Sequence, residues 1–247
     1  MGALIIAIAL QKPILNMDQA WESFKVIESQ TWIASGTIPP SKPKDIPSFV
    51  SALVKPSGAL TSPVSHRLHQ PSYSTSNTQN EETADPTSTC IAMVMGTVFE
   101  KGKTLIYDQL HRRDQKSEGI QHYPQNVLDC HDEFTRRVTE SSEAKVEVVY
   151  GTPVEQYLRR QFRGTSTTLP LWGPYDGISI TLVHEEAFRN QQQEFKFRKI
   201  LLFARHPNRM FYAPRGGEEA ATQDKILSVA SQMSRVPHIP RYYADYL

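Results

Sequence analysis

The sequence predicts an α/β fold, a three-layer sandwich with a mainly parallel central sheet, preceded by a largely disordered N-terminal segment. Short apolar segments alternate with amphipathic helical segments from Cys90 onward, which is the pattern of βα units. The segment "KFRKILLFARH", residues 196–206, has a continuous apolar middle, as strands covered by helices on both faces do. Residues 57–89 contain 13 Ser or Thr among 33 residues, which is too polar a composition to bury a core.

Residues 1–36 are predicted to form an apolar stretch followed by one amphipathic helix. The helix runs from Asn16 to Gly36, and its apolar stripe consists of Ala20, Phe24, Ile27 and Trp32. The preceding run, "MGALIIAIAL", is too short to span a bilayer and is interpreted as a buried strand or simply an apolar terminus.

Residues 37–89 are predicted to be a disordered Ser/Thr/Pro-rich linker, and residues 90–247 to be the α/β domain. The linker has too few apolar side chains to offset the conformational entropy lost on ordering. The domain opens with "CIAMVMGTVFE", residues 90–100, which is short and apolar as a buried strand should be. The helix that follows, over residues 126–142, has one apolar face formed by Val127, Cys130, Phe134 and Val138.

A strand, a glycine and a capped helix then indicate one βα unit. The strand "KVEVVYG" ends at Gly151, and Thr152 is the expected N-cap of the next helix. Pro153 fits the first helical position, and Glu155 completes a capping box. The remaining predicted elements are two strands and a closing helix, at residues 178–185, 196–206 and 218–234.

Two of the strand ends carry residues suited to a ligand site. Ligands of open α/β sheets bind beyond the carboxyl ends of the strands, where this chain has Gly151-Thr152-Pro153 and His206-Pro207-Asn208. Residues 196–215 contain six Lys or Arg and no acid, with Met, Phe and Tyr interleaved. Such a mixture suits contact with phosphates and bases. Two alternatives remain open: His206 only caps its strand, and the cations form a solvated face.

Residues 130–212 resemble the C-terminal half of the uracil-DNA glycosylase superfamily. The likeness lies in the order of a cysteine-bearing helix ("LDCHDEF"), a strand ending in glycine ("VEVVYG"), a helix ("VEQYLRR") and a strand ending in a His-Pro loop ("LLFARHPN"). The resemblance implies a catalytic loop with His206 and Asn208, in which His206 donates a hydrogen bond to a flipped base. It also implies a wedge in the duplex formed by Arg209, Met210 and Phe211.

Three more residues, Gly151, Thr152 and Arg215, are expected to contact nucleic acid.

In the superfamily the loop after the first strand carries glycine, proline and a water-positioning Asp or Asn. The candidate segment here is "MVMGTVFEKG", residues 93–102, in which Gly96 is present and Glu100 is the carboxylate. The first catalytic motif is therefore not found at this position.

Two functions from different classes remain open. One is a DNA-binding, glycosylase-like protein that excises a damaged or deaminated base by hydrolysing the N-glycosidic bond. The other is a non-catalytic interaction scaffold whose disordered segment binds a protein partner. Two cysteines without metal spacing, and no glycine-rich phosphate motif, predict no metal and no cofactor. The protein is expected to be intracellular, nuclear or cytoplasmic, without membrane contact.

Overall fold

A computed structural model of the protein describes residues 15–37, 53–71, 103–112, 123–163, 166–169, 179–184, 194–195, 197–207, 216–233 and 239–240. The helices in these ranges are α1 (Met17–Ser35), α2 (Gln125–Ser141), α3 (Thr152–Gln161) and α4 (Gly216–Met233). The strands are β1 (Val64–Leu68), β2 (Leu105–Asp108), β3 (Val146–Tyr150), β4 (Ser166–Leu169), β5 (Ser179–His184), β6 (Glu194–Phe195), β7 (Phe197–Ala204) and β8 (Ile239–Pro240).

Six of these strands form one mixed sheet in the order β2-β1-β3-β7-β5-β4. The four strands β2, β1, β3 and β7 pair in parallel. Strand β5 runs antiparallel to both of its neighbours, β7 and β4. Strands β6 and β8 form a separate antiparallel pair. The predicted α/β class with a mainly parallel sheet is confirmed.

Helices cover both faces of this sheet. Successive strand residues point to opposite faces, so Val149 and Tyr150 of β3 lie on opposite faces of the sheet. Val149 packs with Val154 and Leu158 of α3. The hydroxyl of Tyr150 instead accepts a hydrogen bond of 3.5 Å from the side chain of Gln223 on α4. The sheet therefore lies between two helical layers, as the sequence predicts.

Strand β1, which lies between β2 and β3, falls inside the segment predicted as a disordered linker, and that prediction is wrong for residues 53–71. Strand β1 pairs with β2 and with β3, and all five of its residues are buried. Along the outer edge of β2, Ser57 and Ile106 exchange two backbone hydrogen bonds of 2.9 Å. The polar side chains of β1 find their partners only in the folded chain, so local composition suggested disorder. The rest of the predicted linker, and the strand predicted at residues 90–100, lie outside the described residues.

Helix α1 packs on α2, so the predicted boundaries at residues 36 and 89 do not separate independent parts. The rings of Phe24 and Phe134 stack with their centroids 4.5 Å apart, and Trp21 lies 5.7 Å from the same ring of Phe134. Burial of these three aromatic side chains joins the N-terminal helix to the core.

The ends of α1 are confirmed, whereas its buried face differs in part. Asn16 caps the helix by accepting the backbone N–H of Gln19, and the helix ends at Gly36 with a left-handed backbone. Ile27, expected in the apolar stripe, is 52% exposed, while Glu28 is fully buried. The carboxylate of Glu28 can be buried because it accepts hydrogen bonds from the guanidinium of Arg112 and the indole N–H of Trp32.

The predicted helix over residues 126–142 corresponds to α2. Val127, Phe134 and Val138 are buried as expected, whereas Cys130 is half-buried and His131 lies deeper. The strands and the closing helix predicted downstream correspond to β3, β5, β7 and α4.

Candidate functional site at the carboxyl edge of the sheet

Four neighbouring parallel strands end at the same level. Leu68 of β1 pairs with Asp108 of β2, and Tyr150 of β3 pairs with Ala204 of β7. The pairing of β1 with β3 places all four residues in one row across the sheet. Neighbouring strands are about 4.8 Å apart, so the four loops begin close together. We call this row of loop starts the carboxyl edge; its residues are Gln109, His69-Gln70, Gly151-Thr152 and Arg205-His206.

Gly151 makes the tight turn from β3 into α3. Its φ of 92° and ψ of 140° lie in a region that is essentially restricted to glycine. The predicted N-cap at Thr152 is wrong: Gly151 occupies the cap, Thr152 is already helical, and no side chain caps the helix. Glu155 does not complete a capping box, since its carboxylate pairs with Arg159 at 2.8 Å. The glycine conformation moves the helix start one residue earlier than the Thr-x-x-Glu pattern predicts.

The first turn of α3 is consequently a bare helix N-terminus at the carboxyl edge. The first intrahelical bond runs from the N–H of Glu155 to the carbonyl of Gly151, at 3.2 Å. The N–H groups of Thr152 and Val154 precede that bond and have no acceptor within the helix, and Pro153 has no N–H. An N-terminus of this kind favours an anionic group through its N–H donors and its dipole.

The His-Pro loop begins beside this helix start. Arg205 and His206 follow β7 directly and are half-buried, and Pro207 is buried. Because β3 and β7 are adjacent and parallel, Gly151, Thr152 and His206 lie at one edge, as the sequence predicts. The other predicted site residues lie outside the described residues: Asn208, Arg209, Met210, Phe211 and Arg215.

The loop after the first strand of the sheet is His69-Gln70-Pro71, which the sequence analysis missed. The segment predicted to carry this loop, residues 93–102 with Gly96 and Glu100, lies outside the described residues. Strand β1 precedes that segment in the chain and lies between β2 and β3 among the parallel strands. Its loop contains a proline and the side-chain amide of Gln70. The signal "LHQP" was in the sequence, within a segment interpreted as linker.

The side-chain amide of Gln70 has a fixed orientation. Its Nε2 donates to the carbonyl oxygen of Arg112 at 3.0 Å and to the hydroxyl of Tyr123 at 3.4 Å. A carbonyl oxygen can only accept, so the NH₂ end must face Arg112. The Oε1 atom has no hydrogen-bond partner within the described ranges. Gln70 thus brings one oriented acceptor to the carboxyl edge.

His69 adds a neutral imidazole to the same loop. Its Nε2 atom is buried and has no hydrogen-bond partner in the part of the chain that the structure describes. Burial lowers the pKa of this side chain below its ordinary value. His69, in the loop after β1, is therefore uncharged at neutral pH.

Several cations of the predicted basic surface are engaged elsewhere. Lys199 is paired with Glu147 at 2.8 Å in the middle of the sheet. Arg159 pairs with Glu155, and its guanidinium lies 4.5 Å from the centroid of the Phe203 ring. Helix α3 leads away from the edge, so Arg163 beyond its end is about 15 Å from the turn at Gly151. The basic surface at the carboxyl edge is consequently smaller than the count of charges predicts.

A buried charge cluster lies under α2 and α3. The carboxylate of Glu147 accepts a 2.5 Å hydrogen bond from Tyr107 and lies 3.5 Å from the guanidinium of Arg67. Burial by itself would raise the pKa of Glu147, but Lys199 and Arg67 outweigh it and lower the pKa to about 2. Above the cluster a cleft of about 80 Å³ opens beside Tyr157. That volume holds several water molecules but is too small for a nucleotide.

On the opposite face, a buried polar pair lies directly beneath the edge. His66 Nδ1 and the hydroxyl of Tyr150 are 3.0 Å apart, and Gln223 donates to the same hydroxyl. Burial lowers the pKa of His66 to about 3 and raises that of Tyr150. Both groups are therefore neutral at pH 7 and serve as hydrogen-bonding, uncharged supports for β1 and β3.

Metal and membrane features can be judged for the described ranges alone. Within them, no three His, Cys, Asp or Glu side chains are placed so that they could hold a metal ion. None of the helices there combines the length and the apolar character needed to cross a bilayer. No model of a known protein family matches the chain, and no curated protein matches it either.

Proposed function

We propose that this protein binds DNA at the carboxyl edge and holds an extruded base there, as a relative of the uracil-DNA glycosylases. The observation that supports the proposal most is the placement of Gly151 and His206 on adjacent parallel strands that end level. The resemblance of residues 130–212 needs these two loops on one edge, since the histidine loop acts on the base while the neighbouring turn meets the backbone.

The bare N-terminus of α3 supplies the phosphate contact in this proposal. It offers the N–H groups of Thr152 and Val154, which have no acceptor within the helix, and the positive end of a helix dipole. A phosphate accepted there lies beside the loop of His206, because the two strands are about 4.8 Å apart. The basic residues of the segment after His206 then extend the contact along the DNA backbone.

The proposed chemistry divides between His206 and Gln70. His206 donates a hydrogen bond to the base and stabilises the negative charge that develops when the base leaves. Gln70 Oε1 accepts a hydrogen bond from the attacking water and orients it. An amide does not take up the proton of that water, unlike a carboxylate base, so the proton passes through solvent to the departing base as the sugar–oxygen bond forms and the sugar–base bond breaks. We therefore expect tight base recognition with slow hydrolysis.

Binding and base release by the full chain test the proposal. Single- and double-stranded oligonucleotides, each with one uracil or one cytosine at the same position, are compared at low and high salt. We expect salt-dependent binding to both, and slow release of uracil only. His206→Ala should lower release by roughly 10²–10³-fold and leave binding to ordinary DNA unchanged. Arg163→Ala, far from the edge, is the matched control. Absence of binding at low salt would overturn the proposal.

A non-catalytic interaction scaffold is the second candidate function. Three large apolar side chains on α1 favour it, because Val26, Ile27 and Ile33 are 56%, 52% and 79% exposed. Isolated exposed aliphatic residues are ordinary, but three on one helix offer a contact for a protein. If the full chain ignores DNA, replacing Val26 and Ile33 with Ser should abolish partner capture without changing stability.

A further inference from the structure

We propose that Glu28 of α1 is a positioning residue for Gln70, so that the N-terminal helix is a working part of the site at the carboxyl edge. The inference rests on the proposed function for its consequence in DNA recognition. The structural part of the inference does not depend on DNA binding, because it concerns only which side chains hold the loop after β1 in place.

The first link joins α1 to the segment after β2. Glu28 is fully buried, and its two carboxylate oxygens accept one N–H each from Arg112, both at 2.6 Å. This is the bidentate geometry in which a guanidinium is held most firmly. Burial raises the pKa of Glu28, but the His131 ring at 3.6 Å and the hydrogen-bonded guanidinium of Arg112 outweigh it and lower the pKa overall. The carboxylate therefore remains charged and keeps Arg112 in one position.

The second link joins Arg112 to the site loop. Its backbone carbonyl accepts the hydrogen bond from Gln70 Nε2 at 3.0 Å. Arg112 is only 2% exposed, so the surrounding packing restricts movement of its side chain relative to its backbone. A displacement of the guanidinium would move the carbonyl that sets the orientation of Gln70.

A second route from α1 reaches the same amide. Trp32 donates its indole N–H to Glu28 at 2.7 Å. The ring of Trp32 meets that of Tyr123 edge to face, with centroids 5.3 Å apart. The hydroxyl of Tyr123 accepts the other hydrogen bond of Gln70, at 3.4 Å. The five residues close a ring in which both N–H bonds of Gln70 depend on α1.

Of the two clusters that attach α1 to the core, one includes Trp32 and Tyr123 of the ring, and the other has no member in the ring. Trp21 and Phe24 pack against Phe134 on α2 and do not take part in it. A variant of Glu28 can therefore disturb Gln70 while α1 stays docked. That separation permits a test of positioning apart from stability.

The test uses the full chain with Glu28→Gln, Gln70→Ala and the double variant. Glu28→Gln should lower the preference for uracil-containing over ordinary DNA, or uracil release, on the order of 10- to 100-fold. In the Gln70→Ala background it should have no further effect, because the two residues act as one unit. Additive losses would overturn the positioning role. Phe24→Leu, which weakens the docking of α1 alone, is the matched control and should leave the preference unchanged.

A readout independent of DNA separates failure of this inference from failure of the proposed function. The side-chain NH₂ of Gln70 should give two dispersed, exchange-protected NMR signals in the unmodified chain. Glu28→Gln should shift both signals toward the positions of a free glutamine amide and speed their exchange with water. Trp32→Phe, which removes the indole N–H together with the five-membered ring, serves if Glu28→Gln does not fold. Unchanged Gln70 signals would overturn the positioning role even if DNA is bound. Changed signals without DNA binding would sustain the positioning role and overturn the proposed function.

Discussion

Tyr150 of β3 pairs directly with Ala204 of β7 in parallel register. Gly151 is consequently the neighbour of Arg205, and His206 begins one residue further along. The same edge holds the loop of His69 and Gln70, because β1 is the other neighbour of β3. A turn restricted to glycine, a His-Pro loop and an oriented amide thus meet within a few strand spacings.

The turn at Gly151 should not tolerate a side chain. Gly151→Ala places a non-glycine residue at φ 92°, which costs roughly 1–3 kcal/mol of unfolding free energy. Within the part of the chain that the structure describes, an added Cβ would meet only Pro153 Cδ, at 3.9 Å, so the cost arises in the backbone and not from a clash. Urea unfolding measures it. Gly58→Ala is the contrasting variant and should cost more, because its Cβ would collide with the backbone of Thr104.

The cations after His206 should act on all DNA sequences alike. Arg209→Ala is expected to weaken binding to uracil-containing and ordinary DNA equally, and to reduce the salt slope by about one counterion. Arg163→Ala removes an exposed arginine beyond the far end of α3 and should change neither quantity. Fluorescence anisotropy over a salt series measures both. Equal effects of the two variants would contradict a specific surface at the edge.

Glu147 should make the protein sensitive to acid. Its folded pKa of about 2 lies below the ordinary value of 4.5, so it contributes stability above pH 4.5 that is lost as the pH falls toward 2. The linkage amounts to about 3 kcal/mol. Unfolding free energies measured across this range should fall steeply, and Glu147→Gln should flatten the curve.

His66 should extend this sensitivity to higher pH. Its folded pKa of about 3 lies below the ordinary value of 6.5, so the unfolded chain binds a proton first. The contribution of His66 to the free energy of unfolding is complete above pH 6.5 and is lost as the pH falls from 6.5 to 3. Burial also lowers the pKa values of His111 and His131, so His66→Gln should reduce the slope in this range without removing it. An unchanged slope would show that His66 is not buried as a neutral group.

A fragment that begins at Cys90 should not fold. It lacks β1, which pairs on both sides in the sheet, and α1, which covers α2. Circular dichroism and limited proteolysis of residues 90–247 should show an unfolded, readily cleaved chain. The control is deletion of residues 1–14, which removes none of the described elements and should leave a cooperative unfolding transition. A stable fragment of residues 90–247 would contradict the central role of β1.

The sequence predicts those elements whose signals are local. Strand β7 has a continuous apolar middle, and β3 is followed by a glycine and a proline that mark the turn into α3. Strand β1, "VSHRL", has no such pattern, because Arg67 and His66 are buried by partners far along the chain. Arg67 bonds to Gln109, and His66 bonds to Tyr150. Composition cannot reveal tertiary partners, so the centre of the sheet was assigned to a linker.

The candidate site was predicted in part for the same reason. Gly151 and His206 were placed at one edge because strand ends and turn residues are visible in the sequence. Gln70 was missed, since its place follows from β1. The role of Glu28 was invisible because a carboxylate on a helix is usually solvent-exposed, and only its contact with Arg112 shows otherwise.

The central position of β1 has a consequence for how the chain folds. Its partners in the sheet come from the middle and the C-terminal half of the sequence, as the pairing of Val64 with Val146 shows. Contacts between such distant segments are slow to form, because long loops must close before any contact stabilises them. During synthesis, β1 leaves the ribosome before its partner β3, and β3 leaves it before its partner β7. We therefore expect folding to be completed late in synthesis, with unpaired strand edges that chaperones shield in the interval.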